Sequence, residues 1–200
     1  MNIVKRIAVT LLVLILTFSI TGCGNVKEKT SERVSDKTSA EEKKDGKTFQ
    51  AEDLVSMDEM STITGVSIVD TKLWDNDYLG LLGATYLVEK DGYDGFDLNC
   101  YQQSYRGVAN DDIGHPVFSD SVKTEYEEHK KIIEDNGCME AVEALGQDAY
   151  YDTSQHTLHI LYNDDYYIKV SDDYSDDPVT RKETAIKIAK KALNRLSEKL

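Results

Sequence analysis

The 200-residue chain sets 23 Lys and Arg against 37 Asp and Glu, for a net charge of −14, and 40% of its residues are hydrophobic. Nine of the basic and six of the acidic residues fall in the first 48 positions, so residues 49–200 carry −17. That excess argues against nucleic acid, whose phosphates need Lys and Arg, and against direct adhesion to anionic lipid; it serves solubility first and cationic partners second.

The chain opens with Lys5 and Arg6, an apolar run from Ile7 to Ile20, and then Ile20-Thr21-Gly22-Cys23. A bilayer-spanning helix needs roughly 20 apolar residues, so the run is too short to span but suits an export signal. Small residues leading into a cysteine resemble the lipobox of bacterial lipoproteins. The resemblance implies that residues 1–22 are removed and that Cys23 is acylated. It also implies a place on the extracytoplasmic face of the cell membrane. A plain signal peptide or short anchor with a chance cysteine is the other reading. From Gly24 to Lys47 only Val26, Val34 and Ala40 are apolar. Such a stretch buries too little to offset its ordering entropy, which predicts a tether over residues 23–48 with a reach of about 25–30 Å. Residues 49–200 are long enough for one domain with a core of its own.

Within that domain, Ser56 and Glu59 have capping-box spacing ahead of Met57, Met60 and Ile63, and Gly65 reads as the helix stop. Val66 to Val69 reads as a short extended piece. Leu82 to Glu89 and the alternating run from Phe96 to Tyr101 form a hairpin around Asp91-Gly92-Tyr93-Asp94-Gly95. A loop through Asn110, Asp111, Asp112, Gly114 and Pro116 leads to a helix capped by Asp120. Its inner face carries Val122, Tyr126, His129 and Ile133; Glu125, Glu127 and Glu128 are its solvated side, and Gly137 ends it. Ala141 to Tyr151 reads as one strand interrupted near Gly146. Thr157 to Tyr162 and Tyr166 to Ser171 pair around Asn163-Asp164-Asp165. The last helix opens on a Thr180–Glu183 capping box, with Ala185, Ala189, Ala192, Leu193, Leu196 and Leu200 as its stripe. The order α-β-β-α-β-β-β-α predicts an α+β domain with an antiparallel sheet of about five strands flanked by helices.

The segments MSTITGVSIV and ALGQDAYYD…LHILYNDDYYIKVSDD, the second followed by the closing amphipathic helix, are similar to small Gram-positive surface lipoproteins. That resemblance implies a PsbP-like α-β-α sandwich and supplies no catalytic residue.

Chemistry-bearing motifs are sparse. His115, His129, His156 and His159 form no H-E-x-x-H, and strand alternation sends His156 and His159 to opposite faces. There is no G-x-S-x-G and no S-x-x-K set. Asp75, Asp77 and Gly80 start like an EF-hand loop, but Leu79 and Tyr86 occupy ligand positions. Asp172, Asp173, Asp176 and Asp177 are the candidate calcium cluster, with N-terminal helix charge as the other reading. Export permits a Cys100–Cys138 disulfide, and two unpaired thiols are the alternative.

Twelve tyrosines against four phenylalanines and one tryptophan suit half-buried sheet faces and interfaces alike. Leu158, Ile160, Tyr162, Tyr166, Ile168 and Val170 point to one face, Thr157, His159, Leu161, Tyr167 and Lys169 to the other. With Asn99 and Tyr101, the second set makes Asn99, Tyr101, His159, Lys169 and Tyr167 the candidate partner-binding surface, provided that no helix covers it. The sequence thus points to a non-enzymatic, lipid-anchored binding or accessory module for a protein or envelope partner, with no cofactor. A hydrolase with a scattered site, or a small-ligand or metal carrier, is the alternative.

Overall fold

The computed structural model describes residues 48–89, 92, 94–106 and 121–200. Cys23, the tether up to residue 47, most of the turn around Asp91 and the loop at 107–120 with His115 and Asp120 lie outside the described residues.

Two short helices begin the described chain: α1 (Ala51–Leu54) and α2 (Met57–Thr64). Ser56 and Glu59 close the expected capping box, each side chain taking the other's backbone N–H at 3.4 and 3.0 Å, and Gly65 ends α2 in the left-handed region. The segment before α1 is pinned by Gln102, whose carboxamide accepts from Phe49 N–H at 2.7 Å and donates to its carbonyl at 2.6 Å. The Tyr86 hydroxyl donates to the Val55 carbonyl between α1 and α2.

Seven strands follow: β1 (Asp70–Asn76), β2 (Leu81–Leu87), β3 (Gly95–Gln102), β4 (Met139–Ala141), β5 (Asp148–Asp152), β6 (Thr157–Asn163) and β7 (Tyr166–Asp172). Helix α3 (Val122–Asp135) precedes β4, and α4 (Pro178–Lys199) closes the chain. All neighbours are antiparallel, in the order β1-β2-β3-β7-β6-β5-β4. Two meanders, β1–β3 and β4–β7, therefore meet where β3 pairs with β7.

The α+β class with an antiparallel sheet between helices is as expected, but the sheet has seven strands, not about five. β1 is exposed along nearly its whole length, so no alternation marks it. Asp75, Asp77 and Gly80 belong to β1 and its reversal, where the Asn76 side chain accepts from Leu79 N–H and Gly80 is left-handed. The run 141–151 is two strands: Ala144 and Gly146 turn with positive φ, and a Cβ on Gly146 would meet the Leu161 carbonyl oxygen at 2.5 Å.

Helix ends differ by one to three residues from the sequence reading. Ser121, not Asp120, caps α3. Asp177 caps α4 with Pro178 in its first turn, and Thr180 donates both its N–H and hydroxyl to that carboxylate at 2.8 and 2.7 Å. Helices α1, α2 and α4 pack together on one face of the sheet, where Ala185, Ala189 and Ala192 let α4 lie close to Leu98, Leu158, Ile160, Ile168 and Val170. Leu200 is exposed instead of completing that stripe. Burial of each large aliphatic side chain there contributes about 1.5–3 kcal/mol.

Candidate functional site

The opposite face is built in cross-strand rows. One row reads Lys72, Thr85, Asp97, Ser171, Thr157 and Asp152 across β1, β2, β3, β7, β6 and β5. The next reads Trp74, Gly83, Asn99, Lys169, His159 and Tyr150; the third reads Asn76, Leu81, Tyr101, Tyr167, Leu161 and Asp148. Polarity thus falls from one end of the face to the other, and α3 lies across the apolar end, burying Val122, Tyr126 and Ile133 against Tyr101, Tyr150, Leu161 and Tyr167.

Beneath α3 the aromatic rings form a hydrogen-bonded stack. Tyr101 stacks on Tyr167 at 4.8 Å between centroids, Tyr150 on His159 at 4.6 Å, and His159 on His129 at 4.7 Å. His129 Nδ1 bonds the Tyr150 hydroxyl at 3.0 Å, and the Tyr167 hydroxyl bonds His159 Nδ1 at 2.6 Å. The Tyr126 hydroxyl and Lys130 both donate to Asp148, at 2.9 and 2.6 Å. Burial dominates the electrostatics. It pushes His159 down to about 2, helped by Lys169 and His129, and lowers Lys169 itself. It also raises Tyr167 well above the usual phenol range. Glu125 is not on the solvated side with Glu127 and Glu128: it bonds Arg106 at 3.1 Å, and desolvation raises it.

This arrangement places the five residues of the expected partner surface in a different setting. Tyr101, Tyr167 and His159 share the second face as the alternation predicts, but α3 covers them; Tyr167 and His159 are each 1% exposed. Their rings are core, Tyr167 bonded to His159 and Tyr101 stacked on Tyr167, and only Asn99 and Lys169 remain half-buried on the open part of the face. Cys100 lies in the first core and Cys138 packs against the second, so the sheet separates the two thiols, and both are free. Burial raises Cys100 to about 12. The calcium candidates serve local structure. Asp172 accepts from Tyr174 and Ser175 N–H and from the Ser175 hydroxyl, and Asp177 caps α4. Asp173 and Asp176 lie exposed beside them, and among the described residues no group of three or more His, Cys, Asp or Glu is placed to hold a metal.

A groove of about 610 Å³ opens on the other side of the sheet, between β4, the turn from β5 to β6 and the first turns of α4. That is within the ordinary range of ligand-binding clefts, about 300–1,000 Å³. Tyr151 and His156 line it beside Glu140 and Lys182, with Val179 and Ile186 as its apolar side. The Tyr151 hydroxyl and His156 Nδ1 are shielded from water and have no hydrogen-bond partner among the described residues. His156 sits in the left-handed region at φ 52, which sets its ring beside Tyr151. Lys182 bonds Glu140 at 2.5 Å and places its ammonium 5.5 Å from the Tyr151 ring centroid. Sequence reading placed Tyr151 in a strand and His156 before the next one; it did not bring them to Glu140 and Lys182, since only the turn and the α4 packing do so.

No protein-family model matches this sequence, and the searches of curated proteins and of solved structures found no match.

Proposed function

We propose that this chain is a lipid-anchored extracytoplasmic lipoprotein whose folded part is a non-enzymatic binding module. Its binding site is the groove between β4, β5 and α4. The carrying observation is that Tyr151 and His156 line that groove while Tyr151 Oη and His156 Nδ1 have no hydrogen-bond partner among the described residues. A shielded polar atom without a partner costs free energy, and a partner that supplies the missing hydrogen bonds recovers it. The ligand class is a polar segment of an envelope protein, with Val179 and Ile186 receiving its apolar side. The anchor rests on Lys5, Arg6, the apolar run and the Ile20-Thr21-Gly22-Cys23 segment. Attachment in this reading depends on Cys23. Helices on both faces of the sheet support the finer reading of a PsbP-like sandwich.

Two experiments test the parts separately. Fatty-acid labelling of wild type and Cys23→Ala should show label only in the wild type; label persisting in the variant removes the anchor. A photo-crosslinking side chain at Val179 in the full chain should form a discrete adduct in intact cells, and Tyr151→Phe should abolish it. No adduct, or an adduct indifferent to Tyr151→Phe, removes the groove as the site.

A further inference from the structure

We propose that two copies of this chain pair through their β1 strands, antiparallel about a two-fold axis at Leu73, to continue one sheet across both. β1 is the terminal strand of the sheet, and its backbone is paired on one side only among the described residues. The opposite edge, β4, is three residues long, whereas β1 is seven and keeps an unbroken register with β2. Edges of that length are normally blunted by proline, a bulge, charge or brevity. β1 has no proline and no bulge; its three charges, Asp70, Lys72 and Asp75, flank an exposed pair, Leu73 at 50% and Trp74 at 41%, on its two faces.

The sequence of the strand selects a second copy as the occupant. The antiparallel register that overlaps all seven residues is the one centred on Leu73. In it Asp70 faces Asn76, Thr71 faces Asp75, Lys72 faces Trp74 and Leu73 faces itself, so no like charges stand opposite. The two Lys72–Trp74 pairs place an ammonium beside an indole twice. The indole is presented for it: Trp74 lies over Gly83, where an added Cβ would come within 2.6 Å of the ring. Centring on Lys72 instead overlaps fewer residues and sets Lys72 against Lys72. A two-fold contact of this kind is self-complementary and closes at two copies.

The test uses the full chain in detergent, with Cys138→Ser removing the one native thiol that is partly accessible in the described domain. Mild oxidation of Leu73→Cys should give a disulfide-linked species at twice the chain mass, and Val179→Cys, exposed far from this edge, should not. The native mass of the otherwise unaltered chain should fall by half in Leu73→Lys, with the circular dichroism spectrum unchanged because Leu73 is at the surface. Equal cross-linking of the two cysteine variants, or a native mass of one copy at every concentration, overturns the proposal. An adduct with the mass of a different protein also overturns it, and would make β1 a docking edge for a foreign strand.

Discussion

The layer between the sheet and α1, α2 and α4 is mostly aliphatic, whereas the layer between the sheet and α3 holds four tyrosines and two histidines. The first face is satisfied mainly by shape, with few polar atoms such as the Tyr86 hydroxyl, which bonds the Val55 carbonyl. On the second, each buried ring brings a polar atom that needs a partner, so packing and hydrogen bonding have to be solved together. The hydroxyl–imidazole pairs His129–Tyr150 and His159–Tyr167 are that solution, and His159 Nε2 is left unpaired among the described residues. An apolar core tolerates imprecision by small shifts; a polar one loses a hydrogen bond outright.

The largest expected effect lies on the apolar face. Leu158→Ala or Ile168→Ala should cost about 2–5 kcal/mol in urea unfolding, by lost transfer energy and the cavity left behind. Tyr167→Phe removes one oxygen and should cost about 1–3 kcal/mol, because the hydrogen bond to buried His159 goes with it. Equal costs would erase the distinction between the faces.

pH separates them further. Burial holds His159 at about 2 in the folded state against 6.5 ordinarily, so protons favour the unfolded chain. Its contribution is complete above pH 6.5 and is lost progressively as pH falls toward 2. The slope is up to about 1.4 kcal/mol per pH unit for one proton. Glu59 joins only below 4.5, since Lys191, the Ser56 N–H and Arg195 hold it at about 2. Between pH 6.5 and 4.5, unfolding of His159→Gln should therefore be flatter with pH than that of the wild type. An unchanged slope would place the acid sensitivity elsewhere.

On the helical side, Glu59→Ala removes the capping box together with the bonds from Lys191 and Arg195, both at 2.7 Å. A loss of about 1 kcal/mol is expected from chemical denaturation, with most of it surviving in high salt if the cap dominates the exposed pairs. The smallest effect belongs to the groove. Tyr151→Phe deletes an unpartnered hydroxyl and should move stability by less than about 0.5 kcal/mol. A large loss there would mean that the hydroxyl is bonded in solution.

The sequence was most legible where a single period governs many residues. The division of Leu158, Ile160 and Ile168 from His159, Tyr167 and Lys169 follows from strand alternation, and the α4 stripe from helical spacing. β1 escaped because exposure on both sides erases alternation, and β4 because three residues carry no period. The second face was assigned the right members and the wrong setting. Whether α3 covers Tyr101 and Tyr167 depends on the β3–β7 pairing and on the path of the chain between β3 and α3, which no local pattern encodes. The groove was less legible still: Glu140, Tyr151, His156 and Lys182 come together only through a left-handed turn and the seat of a helix.

Trp74 is the only tryptophan in the chain, and it rests on Gly83 in the outermost strand. Intrinsic fluorescence is therefore a local reporter. Excited near 295 nm, the emission follows the detachment of one edge strand, while the tyrosines that fill the interior stay dark to it. An emission change that precedes the far-ultraviolet transition would describe fraying at β1 rather than global unfolding.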